Sequence, residues 1–311
     1  MISLICIATQ ASESLSDILI DSIIKRTFFI DEIICVKAHK STTKKYNKNG
    51  IDVIELGISN EVGHHWGTKQ PWPIKASEMS AGHQHPFALH CGLKASKNEK
   101  VLFSDSDVFF HTNTEAIYLK YLNDGFHFVG VAHHNQQRAD GNFPTVINLL
   151  TEKKYLPDEN YIKNWRTIID TWLSCPLDDE DRKLIFPFRN KYPYGETLTL
   201  LDRDEKRKKI LDTGSFLYLW CKEKNMNWLS FLTRDCKHYN SKNIDSSKSH
   251  ERINPKNILF HLCGGSFDGY SLGKDFNEGR QKMWEENKTS MIEEYKKSER
   301  QYNASKDVFI Y

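Results

Sequence analysis

The chain has 311 residues, 39% hydrophobic and 27% charged, which is ordinary for a globular protein with room for one large domain. With 43 basic against 41 acidic side chains the net charge is only +2, so no overall field points to nucleic acid or to a membrane surface. No apolar run approaches the roughly 18 residues a spanning helix needs, and the first residues lack the basic start of a secretory leader, so a cytoplasmic protein is expected.

In chain order, Ile2–Ala8 is a short apolar run suited to a buried parallel strand. Leu15–Arg26 follows with Leu15, Ile18, Leu19, Ser22 and Ile23 at helical spacing. Asp31–Val36 and Ile51–Leu56 read as the second and third strands, the latter after the turn signal Asn49-Gly50. Strand, helix, strand, strand at this spacing argues an α/β fold with a mostly parallel, doubly wound sheet flanked by helices. Between the second and third strands, Lys37, Lys40, Lys44, Lys45 and Lys48 form a basic stretch, read as a solvated loop.

Gly63–Pro73, rich in Gly, His, Trp and Pro, is expected to be a loop, its Trp66 and Trp72 either forming a stacking wall for a ligand or pinning the loop to the core. His64-His65 and His83-X-His85 read as polar loop histidines, since no further ligands stand at fixed spacing. A helix over Gln84–Ser96 leads into a strand at Val101–Phe103, and Phe126–Val131 is a further strand ending at Ala132-His133-His134. From Asn135 to Arg207, Pro144, Pro157, Pro176, Pro187 and Pro193 break the pattern, apart from one helix with Ile162, Trp165, Ile169 and Trp172 on a single face. This stretch reads as an insertion covering one side of the site, in the kind of loop that usually carries specificity. Leu211-Asp212-Thr213-Gly214 turns into a helix over Ser215–Lys222, Ile258–His261 is a final strand, and Asn277–Tyr302 is an amphipathic terminal helix using Trp284, Met291 and Tyr295.

The seven cysteines, Cys6, Cys35, Cys91, Cys175, Cys221, Cys236 and Cys263, include no C-x-x-C pair and read as reduced thiols, Cys6, Cys35 and Cys221 within apolar runs. Asn287-Lys288-Thr289 and Asn303-Ala304-Ser305 fit the glycosylation pattern, which a cytoplasmic chain would not use.

The motif that carries chemistry is Lys100-Val101-Leu102-Phe103-Ser104-Asp105-Ser106-Asp107. An apolar strand delivers two carboxylates one residue apart, and strand alternation would put Asp105 and Asp107 on one face, able to share a divalent cation. The chain supplies its own control: Asp179-Glu180-Asp181 and Asp202-Arg203-Asp204 have the same spacing but no apolar strand before them, and read as solvated turns.

Together with the preceding helix segment Ala88-Leu89-His90-Cys91-Gly92-Leu93-Lys94-Ala95-Ser96, this motif resembles the helix-then-strand signature of GT-A fold nucleotide-sugar glycosyltransferases, over roughly Ile2–Val131. Ile210-Leu211-Asp212-Thr213-Gly214 is similar to an acceptor-side segment of glycogenin-like members, and Phe260-His261-Leu262-Cys263-Gly264 to their late His-X-X-Gly element. The resemblance implies a single GT-A catalytic domain over 1–311. In it, 1–134 is the nucleotide-sugar half, 135–275 the acceptor half with the insertion at 135–207, and 276–311 a helical extension.

It further implies a metal-dependent glycosyltransferase moving a sugar from a UDP- or GDP-sugar donor to an acceptor hydroxyl. Asp105, Asp107 and His261 would hold Mn2+ or Mg2+, a donor set of carboxylates and imidazole that suits such ions. Thr9, Gln10, His90, Lys94, Asp105 and Gly264 would contact the donor, and Asp212 would be the acceptor-side carboxylate, the general base if the enzyme inverts. The acceptor, whether glycan, protein, lipid or nucleic acid, and the stereochemical outcome stay open. So do two other readings. A sugar nucleotidyltransferase normally carries a glycine-rich basic loop after its first strand, where this chain has Thr9-Gln10-Ala11-Ser12-Glu13. A sugar-binding module without activity is the other.

Overall fold

Every residue of β1 (Ile2–Ala8) is buried, because both faces of this strand are covered by helices. The structure, a computed structural model, describes residues 1–9, 12–66, 71–79, 81–106, 108–110, 114–132, 144, 148–157, 217, 220, 221, 223–232, 237, 238, 259–261, 289, 292, 293, 296 and 297. β1 lies between β2 (Ile30–Lys37) and β7 (Lys100–Asp105), parallel to both. Beyond β2 come β4 (Ile51–Gly57), parallel, and β3 (Lys44–Lys48), antiparallel at the edge. Beyond β7 come β10 (Asn148–Glu152), antiparallel to both neighbours, then β9 (Phe128–Ala132) and β11 (Trp228–Leu232). These form one eight-stranded, mostly parallel sheet.

Strand alternation sorts the core into two layers. Leu4, Cys6 and Ala8 join a cluster with Leu15, Leu19 and Ile23 of α1 (Glu13–Arg26) and Tyr118 and Leu122 of α3 (Thr114–Asn123). Ile5 and Ile7 face the opposite way, toward Ala88 and Leu89 of α2 (Ala81–Ala95), with Leu217, Trp220 and Cys221 in the same layer. Helices on both faces of a mostly parallel sheet are the α/β class expected from the sequence. Gly92 has a packing reason in this arrangement. A Cβ there would come within 2.5 Å of Ile5 Cγ2 and 3.0 Å of Val36 Cγ2, so the helix lies closer to the sheet than a larger residue permits.

Several expectations need correction. The lysine stretch is not a loop: Lys44–Lys48 is an edge strand with all five residues exposed, turned by Asn49 and Gly50 at φ 53° and 85°. Lysines on an exposed edge discourage pairing with another chain. Lys37, by contrast, is buried at the end of β2. Within the expected Gly63–Pro73 loop the backbone pairs as a hairpin, β5 (Val62–Trp66) with β6 (Pro71–Lys75). His83 and His85 stand on α2 rather than in a loop. Asn148–Glu152, assigned by its proline-broken surroundings to the insertion, is a buried strand in the middle of the sheet.

Residues 217, 220 and 221 are helical within the expected Ser215–Lys222 helix, with 223 helical just beyond it, and 289, 292, 293, 296 and 297 are helical within the expected terminal helix. The expected helix carrying Ile162, Trp165, Ile169 and Trp172 lies outside the described residues. Cys6, Cys35 and Cys221 are buried free thiols. Among the described residues no helix is long and apolar enough to cross a membrane.

Candidate functional site

The C-terminal ends of the parallel strands bring the candidate residues together. Register pairs Ile7 of β1 with Asp105 of β7, and Ala8 of β1 with Lys37 of β2. Thr9 follows directly, so Thr9, Lys37 and Asp105 belong to one edge of the sheet, where open α/β sheets bind their ligands. The edge is built by buried strands whose apolar runs end in polar residues: β7 is Lys-Val-Leu-Phe-Ser-Asp, buried from Val101 to Ser104 and half-open at Asp105.

Asp105 is the last residue of β7, and Ser106 is a turn. The chain then leaves the main sheet, and β8 (Val108–Phe110) joins a separate three-stranded sheet with β13 (Leu259–His261) and β12 (Lys237–His238). Strand alternation along β7 is therefore described only as far as Asp105. Asp107 itself lies outside the described residues, as do Gln10, Asp212 and Gly264.

The change of sheet has a second consequence. β13 runs antiparallel to β8, with His261 opposite Val108. The backbone of a residue distant in sequence thereby comes beside the turn that carries the Asp-X-Asp motif. Among the described residues no group of three His, Cys, Asp or Glu side chains is assembled as a metal site. The donor chemistry present fits a hard divalent ion nonetheless: Asp105 is a half-exposed carboxylate at a strand end, and an imidazole residue stands on the neighbouring strand.

Two contacts around Asp105 were not foreseen. His85 Nε2 lies 3.2 Å from Asp105 Oδ1. Ser106, buried, meets Ser12 through their hydroxyls at 3.1 Å. Ser12 Oγ in turn accepts from the Thr9 backbone N–H at 2.9 Å and lies 3.1 Å from Thr9 Oγ1. The loop leaving β1 and the turn leaving β7 are thus joined by hydroxyl contacts. The only sequence signal for either was the His83-X-His85 pair, which named no partner.

Lys37 closes the β2 end of this edge. It donates to Glu13 at 3.0 Å and to Glu55 at 2.7 Å, and Lys40 also reaches Glu13 at 2.9 Å. Burial works to lower the Lys37 pKa, but the hydrogen bonds to Glu55 and Glu13 prevail and raise it above the ordinary lysine value. Hydrogen bonds from Lys40 and Lys37 hold Glu13 down to about 2. A carboxylate of α1 is thus fixed, ionised, beside the end of the second strand.

Two expected donor contacts are not brought to this edge. Lys94 is in the last turn of α2, roughly 13 Å further along the helix axis than His85. That end of α2 leads to Lys97 and Asn98, whose bonds go to Glu32 and Asp31 at the opposite edge of the sheet. His90 lies between the two ends. Burial, with the Lys94 charge behind it, pushes its pKa down to about 4, so it is neutral at pH 7 and supplies no charge to a phosphate.

No protein-family model matches the chain, and no curated relative matches it either. Among solved structures it is similar to TarS of S. aureus in complex with UDP-GlcNAc, at 16% identity and TM-score 0.29, over 44% of this chain and 36% of that one. It is similar to the mannosyltransferase PcManGT of Pyrobaculum calidifontis in complex with GDP-Man and Mn2+, at 14% identity and TM-score 0.33, over 50% and 45%. The galactosyltransferase LgtC in complex with donor and acceptor sugar analogs matches at 12% identity and TM-score 0.41, over 84% of this chain and 87% of that one. The matched part thus spans less than half of TarS and of PcManGT. At these identities and scores the likeness is confined to the general course of the chain.

Proposed function

We propose that the chain is a metal-dependent glycosyltransferase of GT-A type, moving a sugar from a nucleotide-diphosphate sugar to an acceptor hydroxyl. The observation that carries this reading is the position of Asp105. It ends a central parallel strand, in register with Ile7, at the point where the chain passes into the small sheet that holds His261 opposite Val108. A carboxylate in that place, followed by a second at Asp107, suits a site for a cation-bound diphosphate.

In this reading Asp105, Asp107 and His261 hold the cation, which when bound offsets charge on the departing diphosphate. The loop from Thr9 to Ser12, held by its hydroxyl contacts to Ser106, orients the nucleotide across the strand ends. Glu13, kept ionised by Lys37 and Lys40, offers an acceptor for ribose or base donors at the β2 end. Asp212 is the acceptor-side carboxylate, taking the hydroxyl proton if the reaction inverts and positioning the acceptor if it retains.

The test is a thermal-shift series with UDP, GDP and their sugars, with and without Mn2+. A ligand at 100 times its Kd adds about 2.7 kcal/mol of stability. A cation-dependent rise with one nucleotide class supports the reading, and no rise with any of them refutes it. Asp107→Asn should abolish the cation-dependent part and leave the unliganded protein folded.

A further inference from the structure

The start of α2 breaks the ordinary preferences of a helix. Its first residues are Ala81, Gly82, His83, Gln84, His85 and Pro86. Glycine and histidine are poor helix formers, and proline in a helix lacks the N–H that would bond the carbonyl of Gly82. Proline also restricts the backbone of the residue before it, here His85. Such local conflicts persist where tertiary contacts hold them, and they gather at functional sites.

Two contacts are seen at this start among the described residues. Gln84 Nε2 donates to the Ala76 carbonyl at 2.8 Å, and His85 Nε2 lies 3.2 Å from Asp105 Oδ1. The first already ties the helix to the preceding turn by a neutral bond, so the second is not needed for that purpose. Nor is the His85 contact a core interaction, since the two side chains are 32% and 26% exposed. A pair this open to water adds little to folding stability. What it fixes is the orientation of one carboxylate. An ionised aspartate has only acceptors, so the ring nitrogen facing it carries the proton and donates.

We propose that His85 is a positioning residue of the donor site: its Nε2–H holds Asp105 Oδ1, so the carboxylate keeps one orientation toward the cation-bound diphosphate. The inference rests on the glycosyltransferase reading above. Carboxylates that serve a metal site depend on such partners, and losing one costs about 10- to 100-fold in metal affinity.

The experiment is a titration of Mn2+ against wild type, His85→Ala and His85→Gln, with GDP and separately with UDP. Free Mn2+ is read by electron paramagnetic resonance, and the melting temperature of each protein is taken without ligand. The glutamine amide keeps a donor for Asp105. We expect His85→Ala to weaken nucleotide-dependent Mn2+ binding by about 10- to 100-fold, with His85→Gln regaining at least half of that loss on a logarithmic scale. The unliganded melting temperatures should agree within about 2 °C.

Weakening by less than about tenfold in His85→Ala, or no recovery in His85→Gln, overturns the proposal while leaving the wild-type reading intact. A fall in unliganded melting temperature with Mn2+ affinity unchanged makes His85 a tether of α2 and also overturns it. If His85→Ala does not fold, an unchanged Mn2+ affinity in His85→Gln supports the role of the donor, and a loss there overturns it. Wild type that retains no Mn2+ with either nucleotide refutes the glycosyltransferase reading itself, and the inference falls with it.

Discussion

The hydroxyls of Ser12 and Ser106 meet at 3.1 Å, joining the loop after the first strand to the turn that follows Asp105. The segments leaving two neighbouring parallel strands are thereby held against one another at the C-terminal edge of the sheet.

Ser106→Ala removes this link and leaves the Ser12 hydroxyl with its contacts to Thr9. Because Ser106 is 2% exposed, we expect a loss of about 1–2 kcal/mol in unliganded stability, read by urea unfolding. The nucleotide-dependent thermal shift should shrink as well, since the turn carrying the motif is less constrained. A variant with unchanged unfolding midpoint and unchanged shift would show that the contact does neither.

Lys37→Met should destabilise more strongly, by about 2–4 kcal/mol, because Lys37 is buried and its removal leaves Glu13 and Glu55 facing one another without their shared cation. The loss carries a pH signature. The carboxyl of Glu13 titrates near 2 in the folded protein against an ordinary 4.5, a lowered value. Its contribution is therefore complete above about pH 4.5 and disappears as the pH falls toward 2. In Lys37→Met that acid-side decline should be shallower than in wild type, measured as unfolding midpoints between about pH 3 and 7.

Glu115 works in the opposite direction. It is fully buried on α3, and burial pushes its carboxyl up to about 7 despite the hydrogen bond its Oε1 accepts from the Phe28 backbone. The folded value is raised, so the folded state binds the proton more tightly than the unfolded chain. Stability is then lost as pH rises from 4.5 through about 7. Glu115→Gln keeps an oxygen for Phe28 and cannot ionise. Relative to wild type it should gain on the order of 3 kcal/mol between pH 4 and 8, as unfolding free energies at the two pH values would reveal.

What the sequence made legible follows from how each element earns its burial. β1, β2 and β7 announce themselves because strands covered on both faces must be nearly all apolar, while β4, with only Ile51 and Val53 buried, is marked by the Asn49-Gly50 turn before it. α1 announces itself through one apolar stripe. β3 sends no such signal, since all five of its residues are exposed at the edge. β10 hides because its Asn148 and Thr151 are polar though buried, with Asn148 donating to Ser104 and Thr151 to the His127 carbonyl. The Asp-X-Asp motif was readable as a string. Its partners were not, because Ser12 and His85 reach it only through the fold, from the loop after β1 and from a helix start that local preference argues against. The lysine stretch misled for the same reason: Lys37 and its neighbours are alike in sequence, and only the tertiary placement of Glu13 and Glu55 separates the buried one from the rest.

The last prediction concerns His261. Its strand lies antiparallel to β8 with His261 opposite Val108, so the backbone stands beside the turn after Asp105. If its imidazole completes the cation site, His261→Ala should weaken Mn2+ binding in the presence of nucleotide by about 10- to 100-fold, with the unliganded melting temperature within about 2 °C of wild type. If the histidine only supports the small sheet, the melting temperature should fall and the Mn2+ dependence should stay as it was. The two readings diverge on one pair of measurements, and a double variant sharpens them. Groups that serve one ion act as a unit, so combining His261→Ala with Asp107→Asn should cost far less than the sum of the single losses. Additive losses would mean that the two residues serve different sites, and the cation assignment for His261 would then fail.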